Sequence, residues 1–242
     1  MRIRVVNPNT TRAMTGVIER GARAVVGPGT LLDAVTNEMG PVSIESHYDE
    51  ALSVPGILAA IAAGERDGVD GYVLACFGDP GLDAARELAA GPVIGIAEAA
   101  MRAASHLGRG FSVVTTLGRT VGLAADLVER YGMQRFCRGI HSCELPVLAL
   151  DSDPDARKII TAACLEARVA DQPDAIVLGC AGMSEFSAQL SAELRIPVVD
   201  GVAAATLTVQ SLLMMGLRKS GRGEYAAPPP KRYVGLLREF GR

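Results

Sequence analysis

Val69-Asp70-Gly71-Tyr72-Val73-Leu74-Ala75-Cys76 and Pro173-Asp174-Ala175-Ile176-Val177-Leu178-Gly179-Cys180 follow one pattern, offset by 104 residues (Val69 to Pro173). Each is a short apolar run, rich in β-branched side chains and ending in cysteine, which reads as a buried parallel strand. The surroundings repeat too. Asp79-Pro80 after the first cysteine is expected to supply a helix N-cap and an N1 proline, and Ser184 after the second a cap. From cap to next proline both copies run 13 residues, Asp79 to Pro92 and Ser184 to Pro197. The strands after those prolines match, Gly91-Pro92-Val93-Ile94 against Ile196-Pro197-Val198-Val199, and upstream Val5-Val6-Asn7 matches Val113-Val114-Thr115. Any two βα units look alike, so no single match is informative; their common order and nearly constant offset predict a duplicated unit.

The rest of the chain fits that frame. Strands are expected at Ile3–Val6, Leu31–Val35, Tyr72–Ala75, Val93–Ile96, Phe111–Val114, Ile176–Leu178 and Val198–Val199. Helices are expected at Thr11–Val26, Tyr48–Asp67, Pro80–Ala90, Ala97–His106, Thr120–Tyr131, Pro154–Ala170, Glu185–Leu194 and Val202–Leu217. Alternation of this kind builds parallel βαβ units. The expected fold is α/β with two pseudo-symmetric lobes, each a flavodoxin-like parallel-sheet βα sandwich, and the active site in the cleft between them. The first lobe would comprise residues 1–97 plus 202–242 and the second residues 98–201, with the last long helix packing back on the first lobe.

Composition narrows the function classes. Of 242 residues 49% are apolar, enough for a sizeable core, while aromatics are 4% and Trp is absent. A net charge of −3 gives no basic field for phosphates, so nucleic acid is not expected as a partner. Membrane association is not expected either, because Val202–Leu217 is interrupted by Thr206, Thr208, Gln210 and Ser211. The start, Met1-Arg2-Ile3-Arg4-Val5-Val6-Asn7-Pro8-Asn9, has no apolar h-region. Five cysteines without framework spacing suit a reducing compartment, and a cytoplasmic location is expected.

Ligands of open α/β sheets bind beyond the carboxyl ends of the strands, where Cys76 and Cys180 both fall. A lone cysteine after an apolar run is commonly a small buried hydrophobe. Duplication at the equivalent place, each copy followed by glycine (Gly78 and Gly182), points to catalysis instead. Two thiols on opposite faces of a carbon acid can invert it, one as thiolate base and the other as thiol acid. A helix N-terminus is expected to lower each thiol pKa toward neutrality, and backbone N–H groups at the glycines to hold the enolate. No cofactor is needed when flanking carbonyls already activate the carbon.

Asn7-Pro8-Asn9-Thr10-Thr11, Ala75-Cys76-Phe77-Gly78-Asp79-Pro80-Gly81 and Leu178-Gly179-Cys180-Ala181-Gly182-Met183, together with Ser43-Ile44-Glu45 and the Lys231 tail, resemble the hydantoin and allantoin racemase family of the aspartate/glutamate racemase superfamily. The resemblance spans essentially the whole chain. It implies a cofactor-independent racemase, a homo-oligomer, with Cys76 and Cys180 as its acid–base pair. Asn9, Thr115 and Thr116 would hold the ring's polar atoms, and Ile44, in the Gly40–Glu45 loop, and Phe77 would meet the ring substituent. Racemases of acidic amino acids resemble Cys-Asn-Thr and Cys-Thr at the two sites, where this chain has Cys76-Phe77-Gly78 and Cys180-Ala181-Gly182. Phe77 and Ala181 offer no side-chain donors to a carboxylate, so an uncharged cyclic ureide, a 5-substituted hydantoin or allantoin, is the expected small-molecule partner. Related arylmalonate decarboxylases carry a single cysteine of the pair. A maleate-isomerase-like reaction with a covalent cysteine, an amino-acid racemase and a non-catalytic binder remain as alternatives.

Other residues have plainer readings beside these. Asn9 also suits an ordinary helix start, Thr115 and Thr116 a cap for the helix after Gly118, and Asp79 the cap already noted. Cys137, His141 and Cys143 fit no zinc spacing, so no metal is expected. Cys164 belongs in a helix core, and His47 and His106 accompany no nucleophile motif. Gly108-Arg109-Gly110 precedes a strand instead of following one and is no dinucleotide loop. Lys231 and Tyr233 lie in a tail, Gly221 to Pro230 and beyond, expected to be extended and solvated rather than closed over the cleft.

Overall fold

Eight strands form two separate parallel sheets of four in the computed structural model, which describes residues 1–241. In the first half the order along the chain is β1 (Arg2–Asn7), α1 (Arg12–Arg23), β2 (Leu31–Thr36), α2 (His47–Arg66), β3 (Gly71–Leu74), α3 (Leu82–Leu88), β4 (Val93–Gly95) and α4 (Ile96–Ser105). The second half repeats it with β5 (Phe111–Thr115), α5 (Val121–Arg130), β6 (Cys137–Ser142), α6 (Ala149–Ser152), α7 (Ala156–Asp171), β7 (Ala175–Leu178), α8 (Ser187–Leu194), β8 (Val198–Val199) and α9 (Gly201–Met214). The spatial orders are β2-β1-β3-β4 and β6-β5-β7-β8, one doubly wound arrangement used twice. Central strands β1, β3, β5 and β7 are almost wholly buried; β3 and β7 are unbroken apolar runs, while β1 also buries Arg4 and β5 buries Ser112.

The last helix of each half changes sides. α4 leaves β4 and packs on β5, β7 and α5 of the second sheet, whereas α9 leaves β8 and packs on β1, β3 and β4 of the first. The two helices also pack on each other, and a Cβ on Gly201 would stand 2.6 Å from the Ile96 carbonyl oxygen, so glycine permits their starts to meet. Side chains cross in the same reciprocal way. Phe77, from the loop after β3, belongs to a buried cluster with Ala97, Met101, Phe111, Val113 and Ala124 around the second sheet. Ala181, from the loop after β7, belongs to one with Ile3, Val5, Met14 and Ile18 around the first.

Every expected strand and helix is present, with ends shifted by a few residues. Two elements had no sequence signal, the edge strand β6 and the one-turn α6. Neither expected cap holds. Gly81, with φ 66, is the N-cap of α3, while Asp79, itself at φ 44, is buried and turned away from that helix. Its carboxylate accepts from Ala97 N at 3.1 Å and Glu98 N at 3.0 Å in the first turn of α4, and from the Tyr131 hydroxyl at 2.6 Å. The physical reason is supply. The buried start of α4 has Gly95 at its N-cap, which brings no side chain, so its free N–H groups take the nearest carboxylate. Ser184 lies within a 3-10 turn, Ala181–Phe186, with its hydroxyl 2.7 Å from both Ala181 O and the carboxylate of Asp200, the residue that caps α9.

Candidate active site

The two sheets present their switch points to each other. The loops after β1 and β3 leave neighbouring strands of one sheet, and those after β5 and β7 leave neighbouring strands of the other. Between them lies a cavity lined by Asn9, Cys76, Phe77, Gly78, Thr115, Thr116, Cys180, Ala181, Gly182 and, from the loop before α2, Ile44. All ten residues singled out in the sequence thus meet in one place. The room inside is small, about 60 Å³. A strap closes one side: the Glu45 carboxylate accepts from Val147 N at 2.8 Å, tying the loop before α2 to the other lobe.

Both thiols line the cavity and are half-buried, and desolvation dominates their chemistry. Cys180 is pushed up to about 12, with a backbone N–H of Gly182 pulling the other way and Cys143 and Glu45 adding to the rise. Cys76 is raised by burial as well, opposed by the Gly78 N–H and reinforced by Glu50, Cys180 and Asp79. The expected lowering toward neutrality is therefore corrected, because desolvation of a buried thiolate outweighs the nearby N–H dipoles. The N–H groups of Gly78 and Gly182 aim at the sulfurs, where the sequence argument gave them to an enolate.

Asn9 is held with one face free. Its Oδ1 accepts from Asn7 Nδ2 and Thr11 N, both at 2.9 Å, which leaves Nδ2 as the donor. The Thr115 hydroxyl pairs with Thr120 at 3.0 Å, so Thr115 does not cap the helix beyond it. Sequence reasoning missed Met14, Glu50, Thr120, Leu123, Ala124 and Val147 in the wall. A Cβ on Gly182 would press on Leu150 (2.8 Å) and Met14 (3.1 Å), and one on Gly78 would collide with the Glu50 carboxylate. Both glycines thus allow neighbours to close in on the thiols.

Residues 3–209 match the Asp/Glu/Hydantoin racemase family. The chain belongs to that family. A hydantoin racemase of Pseudomonas sp. (strain NS671) is 46% identical over 243 residues, covering 100% of this chain and 98% of its own. Among solved structures, the allantoin racemase of Klebsiella pneumoniae superposes with a TM-score of 0.97 at 48% identity, covering 100% of this chain and 99% of that one. The allantoin racemase of Pseudomonas fluorescens follows with 0.93 and 37%, covering 97% and 100%. With the racemase family comes the enzyme class, an isomerase.

The remaining expectations concern this racemase's periphery. Cys137 Sγ reaches only the Gly139 carbonyl, His141 pairs with Asp171 at 2.7 Å, and Cys143 lies against the Thr116 carbonyl. Cys164 is fully buried in the α7 core. Among the described residues no helix is long and apolar enough to cross a membrane. The tail contains two 3-10 turns, Gly223–Tyr225 and Gly235–Phe240, and Pro228, Pro229 and Tyr233 line a surface hollow with α2 and α3 instead of the thiol cavity.

Proposed function

We propose that this protein racemises C5 of a cyclic ureide, a 5-substituted hydantoin or allantoin, without a cofactor, using Cys76 and Cys180 as the acid–base pair. The observation that carries the reading is that one small cavity receives a thiol from each sheet, at equivalent strand ends. The relatives' activities, hydantoin and allantoin racemisation, support the substrate class. The thiolate of one cysteine takes the C5 proton, the electron pair passes into the neighbouring carbonyl as an enolate, and the thiol of the other returns a proton from the opposite face. For the other enantiomer the roles exchange. A raised thiol pKa makes the thiolate a stronger base toward a weak carbon acid, at the expense of its population. Asn9 Nδ2 and the Thr116 hydroxyl are the donors proposed for ring carbonyls, with Ile44, Phe77 and Ala181 as apolar walls. Five unpaired cysteines suit the cytoplasm as the place of work.

The test follows optical rotation of single enantiomers of allantoin and 5-benzylhydantoin with added chelator. Wild type should bring at least one of them to zero rotation. Cys76→Ser and Cys180→Ser should each slow this by at least about 100-fold. A variant retaining most of its racemisation would remove that cysteine from the mechanism.

A further inference from the structure

Glu50 is the only charged side chain in the described wall of the cavity. It stands in the first turn of α2, which Ser46 caps through Asp49 N, so the helix itself holds the glutamate at this position. Its carboxylate lies against the Cα of Gly78, in the space a Cβ there would occupy. Glycine at 78 is thus what lets the carboxylate reach the wall beside Cys76. Half-buried, it accepts no hydrogen bond from a described residue. Burial holds its carboxyl above the ordinary range, opposed by His47 and reinforced by Asp49. An acceptor drawn partly out of water with no donor of its own is complementary to a ligand bringing N–H groups.

In the same cavity wall the free polar atom of Asn9 is a donor, which suits a ring carbonyl. The ring is common to all 5-substituted hydantoins; the arm on C5 is not. In allantoin the arm is a ureido group with three N–H bonds, whereas alkyl and benzyl arms have none. We propose that Glu50 determines specificity, accepting hydrogen bonds from a ureido arm on C5 and so selecting allantoin-type substrates over hydantoins with hydrocarbon or carboxylate arms. The proposal rests on the cyclic-ureide reading above. A hydrocarbon arm would strip water from the carboxylate and return nothing, and a carboxylate arm would meet like charge.

Glu50 also bears on Cys76, so its replacement alters proton transfer for every substrate alike. The ratio of kcat/KM for allantoin over 5-benzylhydantoin cancels that common effect. Wild type should prefer allantoin. Glu50→Leu should lower the ratio by at least about tenfold, chiefly by raising KM for allantoin, and Glu50→Gln, which keeps an amide oxygen, should fall between. A ratio unchanged in both variants while both rates move together would overturn the proposal and leave Glu50 as a modulator of Cys76. A wild-type preference for 5-benzylhydantoin would overturn it as well. Wild type inactive on both compounds would instead bring down the ureide reading itself, with this inference along with it.

Discussion

At Cys76 and Cys180 the decisive quantity is desolvation. Their strand-end positions were legible in the sequence because the duplicated run ends in cysteine each time, and so were the glycines two residues on. Their protonation was not legible, because it depends on walls contributed by other elements, including Met14, Glu50 and Val147. Glu50 itself carried no signal: glutamate in a first helical turn is commonplace, and its reach into the cavity depends on the missing Cβ of Gly78. The sign of the pH dependence follows. A thiolate must act as base, and burial pushes Cys180 up to about 12 and Cys76 above its ordinary value. kcat/KM should therefore rise with pH from neutrality into the alkaline range, by up to about tenfold per unit. A plateau beginning near neutral pH would mean a thiol of lowered pKa.

Among the elements, α4 and α9 matter most, since each leaves one sheet to pack on the other. We propose residues 1–97 plus 202–242 and 98–201 as the two folding units, joined by that exchange. Spacing alone assigned Asp79 to the wrong helix. A sequence shows the helix that follows a carboxylate, not the one whose buried start arrives beside it through the fold. The strand β6, Cys137-Arg138-Gly139-Ile140-His141-Ser142, escaped notice because an edge strand with glycine and half-exposed polar residues has no clean alternation. The junction has a thermodynamic signature. Burial pushes the Asp79 carboxyl up to about 7, against the donors Tyr131, Glu98 N and Ala97 N. The native state thus favours its protonated form, so this group's contribution is fully present below the ordinary aspartate pKa of about 4 and is lost as pH rises to about 7. Denaturant titrations across that window should show wild-type stability falling with pH and Asp79→Asn flattening the slope. An unchanged slope would mean that the carboxylate is as comfortable buried as in the unfolded chain.

For the whole molecule, the two sheets act as jaws that bring equivalent strand ends to one small space. Met214 at the end of α9, Met215 and Leu217 just after it, and Val234 and Leu236 in the tail, are exposed apolar side chains, and we propose that the chain assembles as a homo-oligomer. Sedimentation equilibrium should give a mass of two chains or more; a monomer at micromolar concentration would contradict it. In the proposed mechanism different thiols serve the two faces of C5, and isotope tracing separates them from a single shared base. Wild type is placed in heavy water with one pure enantiomer of the substrate it turns over, and deuterium at C5 is followed in both enantiomers from the earliest turnover. Two bases predict that the newly formed enantiomer carries deuterium from the start while the remaining substrate stays protiated. Equal early deuteration of substrate and product would mean that a single base serves both faces, and the two-thiol account would be wrong.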